Sequence, residues 1–251
     1  MTSNNNRQLS IKKGAIALER VESFQFMEQL GIDKNEVLRY LGYRKQALDK
    51  NIEKLIDECI NEIKVLVKAK CVYKVFKINR DNMKISLDNC NTVLESKDIY
   101  RHLDKADTCI LMAATLGHAV DIRIRYYEKL DMTKALILDA CANTAIEEVC
   151  DKLCVEIEES IKEKDKVLTS RYSPGYGDLS LHIQSDFISI IDTYRTIGLT
   201  ISSHNILTPR KSVTAIVGVV DKKYKRENKK CGGCNNYLNC NFRRDGGNCG
   251  T

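Results

Sequence analysis

Helical and strand periodicities alternate along this chain, and a fold built on one period alone cannot accommodate both. Leu48, Ile52, Leu55, Cys59, Ile63 and Leu66 recur at three and four residues, which predicts one buried stripe on a long helix over about 45–68. A second stripe, Ala135, Ala142, Ile146, Val149, Leu153, Ile157 and Ile161, predicts a longer helix over roughly 132–164. Between them the pattern changes. Residues 71–78 and 83–87 are rich in β-formers and flank Asn79-Arg80-Asp81-Asn82, the composition of a hairpin turn. Thr108 to Thr115 is a continuous apolar run, consistent with a buried strand that Leu116-Gly117 closes. Asp33 reads as the N-cap of a short helix ended by Gly42, and Ser96 as the cap of another. Further on, 185–197 suits a helix, and 200–202 and 213–220 suit strands. Strict βαβ repetition is absent, so the class is α+β: a largely antiparallel twisted sheet with long helices. Residues 1–30 read as a weakly structured segment, 31–221 as the folded body, and 222–251 as a basic, cysteine-rich tail.

The hydrophobic fraction of 43% supplies a proper core. No apolar run is long enough to cross a bilayer, and the polar start, Met1-Thr2-Ser3-Asn4-Asn5-Asn6, lacks a signal-peptide apolar region, so a cytoplasmic protein with no membrane partner is expected. The eleven cysteines are an odd count. Cys59, Cys71, Cys109, Cys141, Cys150 and Cys154 lie within apolar patterns, where reduced cysteine acts as a small hydrophobe. Charge is uneven. The chain carries 40 basic and 34 acidic residues; eight of the former and two of the latter fall after Asp221, so the body is neutral and the tail holds the whole excess of +6. Only Tyr224 interleaves the run from Lys222 to Lys230, which supports salt-sensitive, non-specific contact rather than base reading. An acidic protein partner suits it as well as nucleic acid does.

Proline occurs twice, and each copy stands beside an arginine in a short polar loop: Arg171-Tyr172-Ser173-Pro174-Gly175-Tyr176 and Leu207-Thr208-Pro209-Arg210-Lys211-Ser212. Proline stiffens such a bend and Gly175 gives the backbone room. An arginine on a stiff small-residue loop suits a carboxylate or phosphate, which its donor fork binds bidentately; a turn with a solvated arginine is the plainer alternative. Tyr172 and Tyr176 add aromatic faces suited to a ligand with both a carboxylate and a flat ring.

The stretch Arg171–Tyr176 with Gly177-Asp178-Leu179 resembles the S-adenosylmethionine-binding loop of the activation domain of cobalamin-dependent methionine synthase. The likeness continues in Gly198-Leu199-Thr200, in Leu207–Val213, and in the helix from Ala140 to Glu156 with Ala145-Ile146-Glu147; Thr115-Leu116-Gly117 is typical of the free-standing form. The resemblance spans roughly residues 30–225. It implies an S-adenosylmethionine-binding subunit that supports reductive methylation, and so reactivation, of a cobalamin held by a partner methionine synthase subunit. The electron would come from a flavodoxin-like or ferredoxin-like donor. Carried over by position, Arg171 pairs with the methionine carboxylate, and Ser173, Pro174 and Gly175 bring backbone to the ligand. Tyr176 walls the site, and Glu147 sits near the ligand's cationic part. No side chain acts as a nucleophile, because the reacting metal belongs to another chain. An activator of a different corrinoid methyltransferase fits the same residues.

Cys231, Cys234, Cys240 and Cys249 form a second constellation, four thiols with no apolar stripe to serve. Such spacing suits one ion or cluster, either iron–sulfur or zinc, and a reduced flexible tail is the plain alternative. With the basic run it also permits a metal-knuckle nucleic-acid-binding protein, a reading that leaves the Arg171 loop without a purpose. His102, His118, His182 and His204 share no metal-ligand spacing and read as structural.

Overall fold

The computed structural model describes residues 22–25, 30–43, 46–161 and 165–224. Helix α1 (Lys34–Tyr40) starts where expected, with the Asp33 carboxylate accepting the Asn35 N–H at 2.8 Å. Helix α2 (Lys50–Leu66) starts later than the stripe suggests. The reason is local: Asp49 Oδ1 accepts the N–H groups of Asn51 (2.8 Å) and Ile52 (3.3 Å), and so takes the N-cap.

The hairpin appears as β2 (Lys70–Asp81) and β3 (Lys84–Leu87), extended by β4 (Val93–Leu94). Then come α3 (Lys97–His102), β5 (Thr108–Thr115), α4 (His118–Glu128) and α5, which runs thirty residues from Met132 to Ile161. After α5 lie β6 (Lys166–Leu168), α6 (Ile183–Ile190), α7 (Thr193–Ile197), a small hairpin of β7 (Thr200–Ile201) and β8 (Leu207–Thr208), and β9 (Ser212–Asp221). The expected single helix over 185–197 is two. Phe187, Ile188 and Ile191 share a buried face, and one more turn would carry the exposed Arg195 inward. Asp192 in the left-handed region (φ 47°) re-phases the chain, so that Thr193 and Ile197 are buried instead.

All strand pairs are antiparallel, in the order β4-β3-β2-β5-β9-β6, with β1 (Glu22–Gln25) also on β2. The class is α+β. Cys71 lies opposite Ala114 and Cys109 opposite Gly218, which fixes one alternation across the three central strands. Ile110, Met112, Ala215 and Val217 face α1, α2, α4 and α5. Cys109, Leu111, Ala113 and Ile216 face the layer of α3, α6 and α7. A sheet covered on both sides has no polar face, which is why Thr108–Thr115 reads as unbroken apolar sequence. Among the described residues no helix is long and apolar enough to cross a membrane.

Candidate ligand-binding site

After β6 the chain stays beside β9. The Thr169 N–H reaches Gly218 O at 2.9 Å, and Tyr172 exchanges both backbone bonds with Ile216 at 2.9 Å. Arg171 is thereby seated at the sheet edge. The bend follows at once, with Tyr176 N–H on Ser173 O (3.1 Å), Gly175 N–H on Leu179 O (2.8 Å) and Pro174 buried beneath. Gly175 has φ 89°, and a Cβ on Gly177 would collide with the Asp98 carboxylate and the Tyr172 hydroxyl. Asp178 then clamps the loop to the start of α3, accepting from Ser96 Oγ, from Lys97 N–H at 2.8 Å and from Asp98 N–H at 3.1 Å. The Ser96 hydroxyl, ahead of those amides, holds its carboxyl below the usual range. Tyr176 stays 62% exposed, its ring edge-on to Tyr172 with centroids 6.2 Å apart.

The Arg171 guanidinium points at α5. Nη2 donates to Glu147 Oε2 at 2.8 Å and Nη1 to Asp151 Oδ1, two carboxylates one helical turn apart. Cys154 Sγ lies 4.0 Å from Nη1. The family resemblance assigns this fork to a ligand carboxylate; here two protein carboxylates accept from its two terminal nitrogens. The pairing with Glu147 brings together the two charged residues that the resemblance singles out.

Glu147 also faces a cleft of about 290 Å³. Tyr40, Asn143, Ile146 and Glu147 form one wall, and Arg210, Lys211, Ser212 and Val213 the other. The second proline loop thus supplies the opposite side of the same site, with a cis bond between Thr208 and Pro209. Lys211 Nζ is taken by Asp139 and by Asn143 Oδ1, each at 2.7 Å. The buried Asp121 of α4 accepts the Arg210 backbone N–H at 2.5 Å and fixes that loop. Burial, with the Glu147 charge second, pushes the Tyr40 phenol above its ordinary range. Sequence reasoning missed Tyr40, Asn143 and Asp121, which sit on three separate helices with no local signature.

His102 bonds Ser170 O at 2.8 Å, and His182 Nδ1 meets Asn205 at 3.1 Å, both structural contacts. Cys231, Cys234, Cys240 and Cys249 lie outside the described residues, within which no group of three or more metal-ligating side chains occurs. No protein-family model and no curated protein sequence matches the chain. The fold is similar to that in the crystal structure of the MetH reactivation domain bound to AdoHcy: TM-score 0.59, 14% identity, covering 79% of this chain and 78% of that one. At that identity the likeness is one of fold.

Proposed function

We propose that this chain binds S-adenosylmethionine and supports the reactivation of a cobalamin-dependent methionine synthase. The observation that carries the reading is the fold shared, over nearly four fifths of both chains, with a reactivation domain whose structure holds AdoHcy. The donor set agrees. A cleft of about 290 Å³ stands at the lower bound of small-molecule sites, which run from roughly 300 Å³ upward. It offers Glu147 to a cationic group, arginine to a carboxylate, and Tyr40 as an apolar wall with a polar tip.

When bound, S-adenosylmethionine supplies a sulfonium methyl group, received by a cobalamin on the partner methionine synthase subunit as an electron arrives from a flavodoxin-like or ferredoxin-like protein. This chain binds and orients. Arg171 holds Glu147 in place, the bend of Ser173, Pro174 and Gly175 fixes the edge of the site, and Tyr176 stands exposed where a ligand or partner approaches. The chain works as a component of the methyltransferase system. In calorimetry, Arg171→Ala should weaken S-adenosylmethionine binding at least tenfold while the fold persists by circular dichroism, since a lost charged hydrogen-bonding group costs about 1.5–3 kcal/mol. Unchanged affinity in that variant removes the loop from the site.

A further inference from the structure

The hairpin of α4 and α5 carries a group of exposed apolar side chains that the ligand cleft does not use. Ile122, Leu130, Met132 and Leu136 are 66%, 65%, 57% and 59% exposed. Single surface hydrophobes need no explanation, but a group of them on one hairpin does. The core does not require them, since Val120, Ile124, Ile137 and Leu138 already turn inward from the same two helices. The group lies on one side of the hairpin. The Leu130 and Asp131 N–H groups both reach Tyr127 O, at 3.0 and 2.8 Å, and fold α5 back along α4. Arg125 and Asp139 line one depression at the seam between the helices. Ile122 stands one turn before Arg125 and Leu136 one turn before Asp139, so both flank that seam. Met132 lies one more turn toward the start of α5, and Leu130 closes the end.

The charges around this surface balance. Among the described residues Arg125, Glu128 and Lys129 have no ion-pair partner. Asp131, which accepts the Lys134 N–H at 3.0 Å, brings their sum to zero. A rim of no net charge suits neither a strongly acidic nor a strongly basic partner, but it suits a copy of itself. We propose that this face joins two copies of the chain about a two-fold axis that crosses the C-terminal half of α4. In such a contact, if one residue meets another, the second also meets the first. With the two α4 helices antiparallel and the axis beside Tyr126 and Tyr127, Arg125 meets Glu128 of the second copy. Ile122 then meets the corner formed by Leu130 and Met132 of that copy. The reciprocal ion pairs fix the register, and the apolar side chains supply the contact. The seam also reaches Arg210 and Lys211, which line the ligand cleft, so the second copy borders that cleft.

Sedimentation velocity on the full chain tests this, in a reducing buffer that keeps the thiols from linking copies. Between about 1 and 100 μM the protein should pass from monomer to dimer. Leu136→Glu should raise the dimer dissociation constant at least about tenfold with an unchanged circular dichroism spectrum, because it sets a charge at the apolar centre of the contact and not in the core. Arg125→Glu and Glu128→Arg should each weaken association roughly tenfold, since each sets like charges together twice per dimer. The two reversals combined restore opposite pairs and should bring association back to within about threefold of the unsubstituted chain. Damage to the fold would accumulate in that double variant instead of cancelling. A chain that stays monomeric across the range overturns the proposal, and so does a dimer indifferent to Leu136→Glu. Association lost in both single reversals and not regained in the double variant overturns it as well.

Discussion

Arg171 is half enclosed and holds two carboxylates of one helix face, so the three side chains act as a unit. Exposed ion pairs contribute about 0–1 kcal/mol, whereas stripping the partners from a buried charge costs several. This site lies between those limits. Glu147→Gln or Asp151→Asn alone should destabilise by less than about 1 kcal/mol, because one acid still answers the guanidinium. The double variant should cost about 2 kcal/mol or more, exceeding the sum of the two. Urea denaturation of the four proteins measures this, and strict additivity would show that the acids act independently. The same triad marks the limit of what was legible. Proline and glycine made Arg171 conspicuous, but no local pattern separates a guanidinium awaiting a ligand from one closed on a helix twenty residues earlier. The pairing with Glu147 was reachable only through the family resemblance.

Elements were more legible than contacts, because hydrophobic period and caps are local. The Ser96 cap, the β2–β3 hairpin and the apolar β5 all appear in the fold. The α6–α7 break did not announce itself, since Asp192 in a left-handed conformation looks in sequence like any exposed helical aspartate. The clamp of Asp178 on α3 was equally silent: its three donors lie some eighty residues earlier. It carries a pH signature. The carboxyl is held below its ordinary 3.8, so its contribution is complete above that value and disappears as pH falls through the lowered folded-state value. Asp178→Asn should therefore destabilise the protein at neutral pH by roughly 1 kcal/mol, the usual scale of a lost helix-terminus acceptor. The gap to the unsubstituted protein should begin to narrow only below about pH 4 and close once the pH has fallen past the lowered folded-state value. Thermal melts at neutral pH and down an acid series decide it, and a gap that persists at the acid end means the side chain acts through shape rather than charge.

At the scale of the whole molecule, one sheet carries two cores, and cysteine fills small positions in both: Cys59, Cys71, Cys141 and Cys150 on one face, Cys109 on the other. All are free thiols. Burial pushes Cys59 up to about 11 and Cys71 and Cys141 up to about 12, against an ordinary 9. Folding therefore depends on pH from the alkaline side. Below 9 the thiols are protonated in both states and contribute nothing to the pH dependence. Above it the unfolded chain ionises while the folded chain keeps its protons, so stability falls as pH rises, by up to about 1.4 kcal/mol per pH unit for each thiol. Replacing Cys71 and Cys141 by alanine removes two of these groups at the cost of some packing. The double variant should be the less stable protein near pH 7, and the difference should narrow steadily toward about pH 10 as the native thiols begin to penalise the fold. Urea midpoints across that range give the comparison directly. A difference that stays constant with pH would mean that these sulfurs ionise as easily inside as outside, and that the core between the sheet and α1, α2, α4 and α5 admits water.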